Sequence, residues 1–216
     1  MGIKTYAVQL VMGACANRPV NSRKVRICEL GNQHLKYADP ELLSYLTVMG
    51  MNGALTGKEL FTSLGMDHTS IDINGRDGAL PYDLCCPLPI GLLGEWDIVT
   101  NFGTSEHVPY QYNCFKNIHD LASTDCVMLH IVSANPRHGG WNYNVQFFHA
   151  LAEANHYMIT MPPTLETGCY QNHVACVLKK VKGAPFCSVE DFPKPIRVGD
   201  FEQYRILTTR RAEACP

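Results

Sequence analysis

The sequence lacks the features of a disulfide scaffold, a membrane protein or a general nucleic-acid binder. Its ten cysteines include no C-x-x-C pair, and a chain of 216 residues builds a core without disulfides. No stretch reaches the eighteen or so apolar residues of a membrane span. The 18 basic residues balance 20 acidic ones and form no stripe, which disfavours a nucleic-acid substrate. We expect a reduced, cytoplasmic protein with no membrane partner.

Three enzyme signatures are missing as well. No G-x-S-x-G occurs, no G-x-G-x-x-G follows the first predicted strand, and no group of His, Asp and Glu has the sequence spacing of metal ligands. These absences argue against a serine hydrolase, an NAD-dependent oxidoreductase and a metal hydrolase. We therefore predict no metal site.

The N-terminus imitates a short signal peptide, because Lys4 precedes an apolar run over 7–16. Gln9 interrupts the run, and a single lysine is a weak positive region. We interpret residues 1–22 as an N-terminal helix.

Short apolar runs then alternate with helix-compatible segments, as in βαβ units around a parallel sheet. The predicted strands are 25–30, 69–73, 79–82, 96–101, 125–132, 157–161 and 174–180, and the predicted helices are 57–64, 109–121 and 144–154. We expect one α/β domain over 1–216, with a doubly wound, mostly parallel seven-stranded sheet and helices on both faces. Its core is 23–182, the insertion at 36–52 adds a helix or lid, and 183–216 forms a C-terminal tail or lid.

Polar residues follow the predicted strands, where ligands bind in open α/β sheets. Gly31 comes two residues after Glu29, where the backbone must turn sharply and approach a ligand. Asp72 lies at the end of the second strand, where its carboxylate suits ribose hydroxyls. Asp83 follows the third, where it suits the exocyclic amine of an adenine, and the fourth strand ends at Asn101.

In this order, the segments over residues 25–180 resemble the motifs of class I S-adenosylmethionine (SAM)-dependent methyltransferases. The resemblance implies a Rossmann-like methyltransferase fold with SAM as cofactor. It implies the following contacts: Glu29 and Gly31 beside the methionine part of SAM, with Asn32 and Gln33 in the same loop, Asp72 at the ribose, Asp83 and Leu84 at the adenine, and Asn101 and Phe102 on the methyl-transfer side.

The pair Glu106-His107 resembles the Glu-His pair that often follows the fourth strand in small-molecule methyltransferases. The resemblance implies His107 as general base, since a neutral imidazole accepts a proton near pH 7. Glu106 then orients it or contacts the substrate. An Asn-Pro-Pro-Tyr type of motif, expected of nucleic-acid amino methyltransferases, is missing. We expect a small-molecule, sugar or peptide acceptor.

Other interpretations stay open. The loop after Gly31 has Asn32, Gln33 and His34 where the family often has more glycines. That difference supports a catalytically inactive, methyltransferase-like binding or structural subunit. Gly31 also suits a simple strand end, Asp72 and Asp83 suit turn caps, and His107 suits a structural role. The loop 137–140 either reaches the substrate or merely turns.

Overall fold

A computed structural model describes residues 2–16, 23–36, 39–48, 50–51, 56–167, 172–181 and 183–199. Its strands are β1 (Arg26–Leu30), β2 (Asp67–Ile71), β3 (Trp96–Phe102), β4 (Ala122–Ser133), β5 (Trp141–Asn142), β6 (Met158–Thr167), β7 (Asn172–Lys179) and β8 (Ile196–Arg197). Its helices are α1 (Thr5–Ala16), α2 (Pro40–Val48), α3 (Gly57–Ser63), α4 (Gln111–Leu121) and α5 (Val145–Ala154).

Six of the strands form one mainly parallel sheet in the order β2-β1-β3-β4-β7-β6. The first four run parallel, whereas β7 is antiparallel to both β4 and β6. The short strands β5 and β8 pair separately. Because the chain passes outward from β1 to β2 and then returns to β3 on the other side of β1, the strand order reverses at β1. Open α/β sheets bind ligands outside the carboxyl ends of the strands at such a point.

The prediction of a seventh strand in the main sheet is wrong for the part of the chain that the structure describes. The segment predicted at 79–82 forms a single parallel bridge, between Leu80 and Ile71. Gly75 and Gly78 before the segment have φ of +62° and +79°, and Pro81 within it has no backbone N–H to donate. The segment therefore touches the edge of β2 at one residue without continuing as a strand.

The predicted helices begin within two residues of their expected starts. Capping hydrogen bonds in the first turn explain where two of these helices begin. Thr56 and Glu59 form a reciprocal capping box at the start of α3. Asn144 caps α5 by accepting a hydrogen bond from the backbone N–H of Phe147 at 2.8 Å. The N-terminal segment contains α1, and the insertion at 36–52 contains α2.

The apolar core consists of two clusters that take alternate residues of the strands. Cys28 and Met128 enter one cluster with residues of α4 and α5. Ile27 and Leu129 enter the other with residues of α1, α2 and α3. Neighbouring strand residues enter different clusters because successive side chains of a strand point to opposite faces of the sheet. Every residue of β3 is buried, and each large apolar side chain buried in this way contributes roughly 1.5–3 kcal/mol.

The cysteines differ in part from the expectation of reduced core thiols. Cys28, Cys114 and Cys176 are buried thiols, and burial raises the pKa of each. Cys86 is disulfide-bonded, so the expectation is wrong there.

Within the described residues, no helix is long and apolar enough to cross a membrane. The first part of the predicted tail packs on α4, since Phe186 and Phe192 both contact the ring of Tyr112. The rest of that prediction, 200–216, lies outside the described residues.

Candidate cofactor and acceptor site

The turn after β1 is shaped around Gly31. Its φ is +78°, and an added Cβ would lie 2.5 Å from Thr104 Oγ1 and 2.8 Å from Gln33 Nε2. The backbone N–H of Gly31 donates to the carbonyl of Ile71 at 2.8 Å, which joins the turn to the end of β2. Both the backbone conformation and the lack of space therefore require glycine.

Three of the predicted loops meet at this turn. Leu30, the last residue of β1, pairs with Ile71 of β2 and with Asn101 of β3. The backbone N–H of Asn32 donates to Asp72 Oδ2 at 2.9 Å. From the other side, Thr104 Oγ1 donates to the carbonyl of Leu30 at 2.6 Å. The loops after β1, β2 and β3 are thus hydrogen-bonded to one another at the carboxyl edge of the sheet.

The loop after β2 presents two carboxylates. Asp72 is half-buried, and its Oδ1 accepts a second backbone bond, from Asn74 at 2.9 Å. Asp77 is exposed and accepts a hydrogen bond from Asn32 Nδ2 at 2.6 Å. The sequence interpretation did not select Asp77. The only signal was its place just before the segment predicted as a third strand.

Glu29 is fully buried beneath this turn. Its Oε2 accepts the backbone N–H of Gln33 at 3.3 Å and lies 3.4 Å from His68 Nε2. Burial raises the pKa of Glu29, and His68 partly opposes that rise. An added Cβ on Gly57 would lie 2.6 Å from Glu29 Oε1, so the first turn of α3 packs directly on the carboxylate. Glu29 therefore holds the turn against α3, with His68 as a partner that the sequence did not indicate.

Gln33 connects the same turn to its neighbours. Its carbonyl accepts the backbone N–H of Gly57 at 2.8 Å, and its Nε2 donates to Thr104 Oγ1 at 3.3 Å. The residue is 6% exposed. Gln33 thus fixes the turn between α3 and the loop after β3.

Asn101 and Phe102 end β3, and both are buried. Asn101 Nδ2 donates to Ser105 Oγ at 2.9 Å, and the backbone N–H of Ser105 donates back to Asn101 Oδ1 at 3.1 Å. This pair fastens the 3-10 turn Ser105–His107. Phe102 packs in the cluster that contains α1, α2 and α3.

Asp83 and Leu84 lie in a segment that contacts α4. Asp83 Oδ1 accepts the backbone N–H of Cys85 at 2.8 Å. Leu84 is buried in the cluster that contains α4, and its carbonyl accepts a hydrogen bond from Asn117 Nδ2 at 3.1 Å. The Asn117 bond holds the segment against α4, whereas the Asp83 bond is local to the segment.

Beyond the end of β3, Glu106 and His107 meet His138 from the loop after β4. One ligand atom from each of the three lies within 4.8 Å of the other two. His138 Nε2 is 3.9 Å from Glu106 Oε1, and the rings of His107 and His138 are 5.0 Å apart in a T-shaped arrangement. The sequence interpretation missed this group, since some thirty residues separate His138 from the pair.

Burial decides the charge state of this group. It raises the pKa of Glu106 to about 7, against the opposing effect of the Ser133 N–H bond. His107 is exposed at one side, yet the loss of water around its ring and then the neighbouring His138 lower its pKa to about 4. Burial also lowers the pKa of His138. Both imidazoles are therefore neutral near pH 7, with lone pairs available.

Two glycines bring the loops together. The backbone N–H of Gly140 donates to the carbonyl of Glu106 at 2.8 Å. Gly139 has φ of +74°, and a Cβ there would lie 2.8 Å from that carbonyl and 3.0 Å from Glu106 Cβ. The run His138-Gly139-Gly140 therefore packs on Glu106 and is not a simple surface turn.

A buried network supports the same loop. Gln111 Nε2 donates to the carbonyls of Ser105 and Val108, at 2.8 and 2.6 Å. The hydroxyl of Tyr143 donates to Gln111 Oε1. The first turn of α4 thus fixes the segment that carries Glu106 and His107.

Solved structures share this architecture. The 1,6-didemethyltoxoflavin-N1-methyltransferase of Burkholderia thailandensis, solved with 1,6-didemethyltoxoflavin and S-adenosylhomocysteine, has a TM-score of 0.51 and 11% identity, over 82% of this chain and 78% of that protein. This chain has the fold of a class I SAM-dependent methyltransferase. At 11% identity, the likeness concerns the fold alone.

Two further structures are more distant. The DszA carbon methyltransferase has a TM-score of 0.49 and 12% identity, over 83% of this chain and 53% of that one. A SAM-dependent methyltransferase from Aquifex aeolicus has a TM-score of 0.43 and 12% identity, over 79% of this chain and 88% of that one. The chain spans about half the length of DszA. No family model matches it, and no curated protein sequence matches it significantly.

Proposed function

We propose that the protein is a SAM-dependent methyltransferase with a small-molecule, sugar or peptide acceptor. One observation carries the proposal. At the point where the strand order reverses, Asn32 joins the turn after β1 to Asp72, and Thr104 joins it to the end of β3. Doubly wound sheets bind nucleotides at such crevices. The Burkholderia protein with this fold was solved with S-adenosylhomocysteine, which supports SAM over another nucleotide.

The residues at this edge fit SAM. Each oxygen of Asp72 accepts one backbone N–H and keeps acceptor capacity for ribose hydroxyls. Gly31 lets the backbone approach a ligand closely. Asp77, which Asn32 holds, is a second carboxylate for the nucleoside. At this edge the proposed cofactor set is Glu29, Gly31, Asn32, Gln33, Asp72, Asn101 and Phe102, with Asp77 added. Asp83 and Leu84, which lie in the segment that contacts α4, are proposed for the adenine.

SAM supplies a methyl group activated on a sulfonium. The task of the chain is to align the acceptor with that group and to keep water out. When the acceptor takes the methyl group, the carbon–sulfur bonding pair stays on sulfur and the acceptor gives up one proton. We assign that proton first to His107, which is neutral and exposed at one side. Because the pKa of His107 is lowered to about 4, the proton then passes to solvent. Glu106 is buried behind it and orients the loop.

Isothermal titration with SAM and with S-adenosylhomocysteine tests the proposal. We expect saturable binding of both, and an affinity at least tenfold lower in Asp72→Asn, because the amide loses one acceptor. Asp67→Asn is the matched control, since Asp67 is exposed at the other end of the same strand. No heat at millimolar S-adenosylhomocysteine would instead support the catalytically inactive binding or structural subunit, which the glycine-poor turn favours.

Labelled SAM and a panel of acceptors then test transfer itself. We expect methylation of one acceptor class, and slower turnover in His107→Gln with cofactor affinity unchanged. Cofactor binding without transfer to any class would again favour the inactive subunit.

A further inference from the structure

We propose that Glu106, His107 and His138 form a binding site for a divalent transition-metal ion such as zinc. Two imidazoles and one carboxylate are a ligand set that such ions prefer. Their ligand atoms lie within 4.8 Å of one another. Donors about 2.1 Å from one tetrahedral ion are about 3.4 Å apart, so small side-chain rotations close the site.

Two of the donor atoms are buried and lack hydrogen-bond partners within the described residues. They are Glu106 Oε2 and His138 Nε2. Glu106 is 0% exposed. An unpaired carboxylate oxygen beside an unpaired imidazole nitrogen is unfavourable in a dry environment. A cation between them removes that penalty at both atoms.

The backbone holds the donors in place without the ion. Gly139 and Gly140 pack on the backbone of Glu106, as described above. Glu106 Oε1 also accepts the backbone N–H of Ser133 at 3.3 Å, which fixes the carboxylate and leaves Oε2 for the ion. A hydrogen bond to a ligating carboxylate is a usual support for a metal site.

Three protein ligands leave a coordination position open. The site follows the carboxyl ends of β3 and β4, next to the proposed cofactor crevice. An oxygen of the acceptor fits that open position, which favours acceptors with a metal-binding hydroxyl or carboxylate. This assignment of the acceptor rests on the proposed function. A bound ion would lower the pKa of a coordinated hydroxyl, and the proton of that hydroxyl would pass to solvent. His107 would then serve as a ligand, and the role of His107 as base belongs to the metal-free protein.

Calorimetric titration of the chelator-treated full chain with zinc chloride tests the site, with cobalt(II) absorption as a second readout. We expect one equivalent of zinc per chain. Affinity should fall at least tenfold in each of Glu106→Gln, His107→Gln and His138→Gln. The matched control is His149→Gln, because His149 is exposed on α5 and its loss should change nothing. If Glu106→Gln does not fold, the two histidine variants decide.

No stoichiometric binding, or equal affinity in all four variants, would overturn the metal site. Parallel titration with S-adenosylhomocysteine separates this inference from the proposed function. Cofactor binding without zinc binding overturns the metal site alone. Zinc binding that depends on the three residues, without cofactor binding, supports the site and overturns the acceptor assignment together with the proposed function.

Discussion

Gly31 meets two separate requirements, a φ of +78° and the lack of room for a Cβ beside Thr104. We predict that Gly31→Ala lowers the free energy of unfolding by more than the roughly 1–2 kcal/mol of a left-handed conformation. The displaced turn should also lower the affinity for S-adenosylhomocysteine at least tenfold. Urea denaturation and calorimetry measure the two effects.

Gly65→Ala separates strain from contact. Gly65 has φ of +82° and nothing within 4 Å of an added Cβ. This variant should lose stability through strain alone and keep its cofactor affinity. Equal loss of affinity in both variants would mean that Thr104 and Gln33 do not define the turn.

His119 makes stability depend on pH. It is buried, its Nδ1 lies 2.7 Å from the hydroxyl of Tyr157, and its Nε2 lies 3.0 Å from the carbonyl of Ala184. Burial, and then the charge of Lys180, lower the pKa of His119 to about 4, while Asp120 opposes the shift. An unfolded histidine titrates near 6.5. Between pH 4 and pH 6.5 this histidine therefore binds more protons in the unfolded chain than in the folded one. The neutral His119 contributes its full stabilisation above pH 6.5, and that stabilisation is lost as the pH falls toward 4.

We predict that the stability difference between the wild type and His119→Gln shrinks by up to about 1.4 kcal/mol per pH unit below pH 6. Urea midpoints at pH 7, 6 and 5 measure it. The raised pKa of Glu106 changes the free energy of unfolding with pH in the opposite direction. Subtracting the value for the variant removes this effect, because both proteins contain Glu106. A difference that stays constant with pH would show that His119 is not held neutral.

The N-terminal caps of α3 and α5 are similar, but only the cap of α3 lies next to the turn after β1. Thr56 caps α3, whose first residue Gly57 donates its backbone N–H to the carbonyl of Gln33 in the turn after β1. Asn144 caps α5. We predict that Thr56→Ala and Asn144→Ala each lower the free energy of unfolding by about 1 kcal/mol. Only Thr56→Ala should weaken S-adenosylhomocysteine binding, and calorimetry on both variants checks this. A weaker affinity in Asn144→Ala would contradict the local role of α3.

Most elements were predictable from the sequence because short apolar runs and helix caps are local signals. The parallel strands β1 to β4 follow such runs, and Asn144 marks the start of α5. The failure at 79–82 has a physical reason, since the apolar pair Ala79 and Leu80 is too short to continue a ladder before Pro81. The place of this segment depends on its contact with β2. The local sequence pattern carries no information about that contact.

The candidate site was partly predictable at the scale of the whole molecule. Gly31 and Asp72 follow β1 and β2, and Asn101 lies at the end of β3. A parallel sheet is therefore enough to bring their loops together. Asp77 precedes and Asp83 follows the strand predicted at 79–82, and spacing alone does not decide between them. His68 and His138 reach Glu29 and Glu106 only through the packing of separate elements, which no local pattern encodes.

Hydrogen exchange with and without S-adenosylhomocysteine tests the central claim most directly. The claim is that the loops after β1, β2 and β3 form one binding site. We predict ligand-induced protection at 31–36, 72–78 and 101–107, and unchanged exchange in α5. Saturating ligand without protection of these three segments, or with protection elsewhere only, would contradict the account.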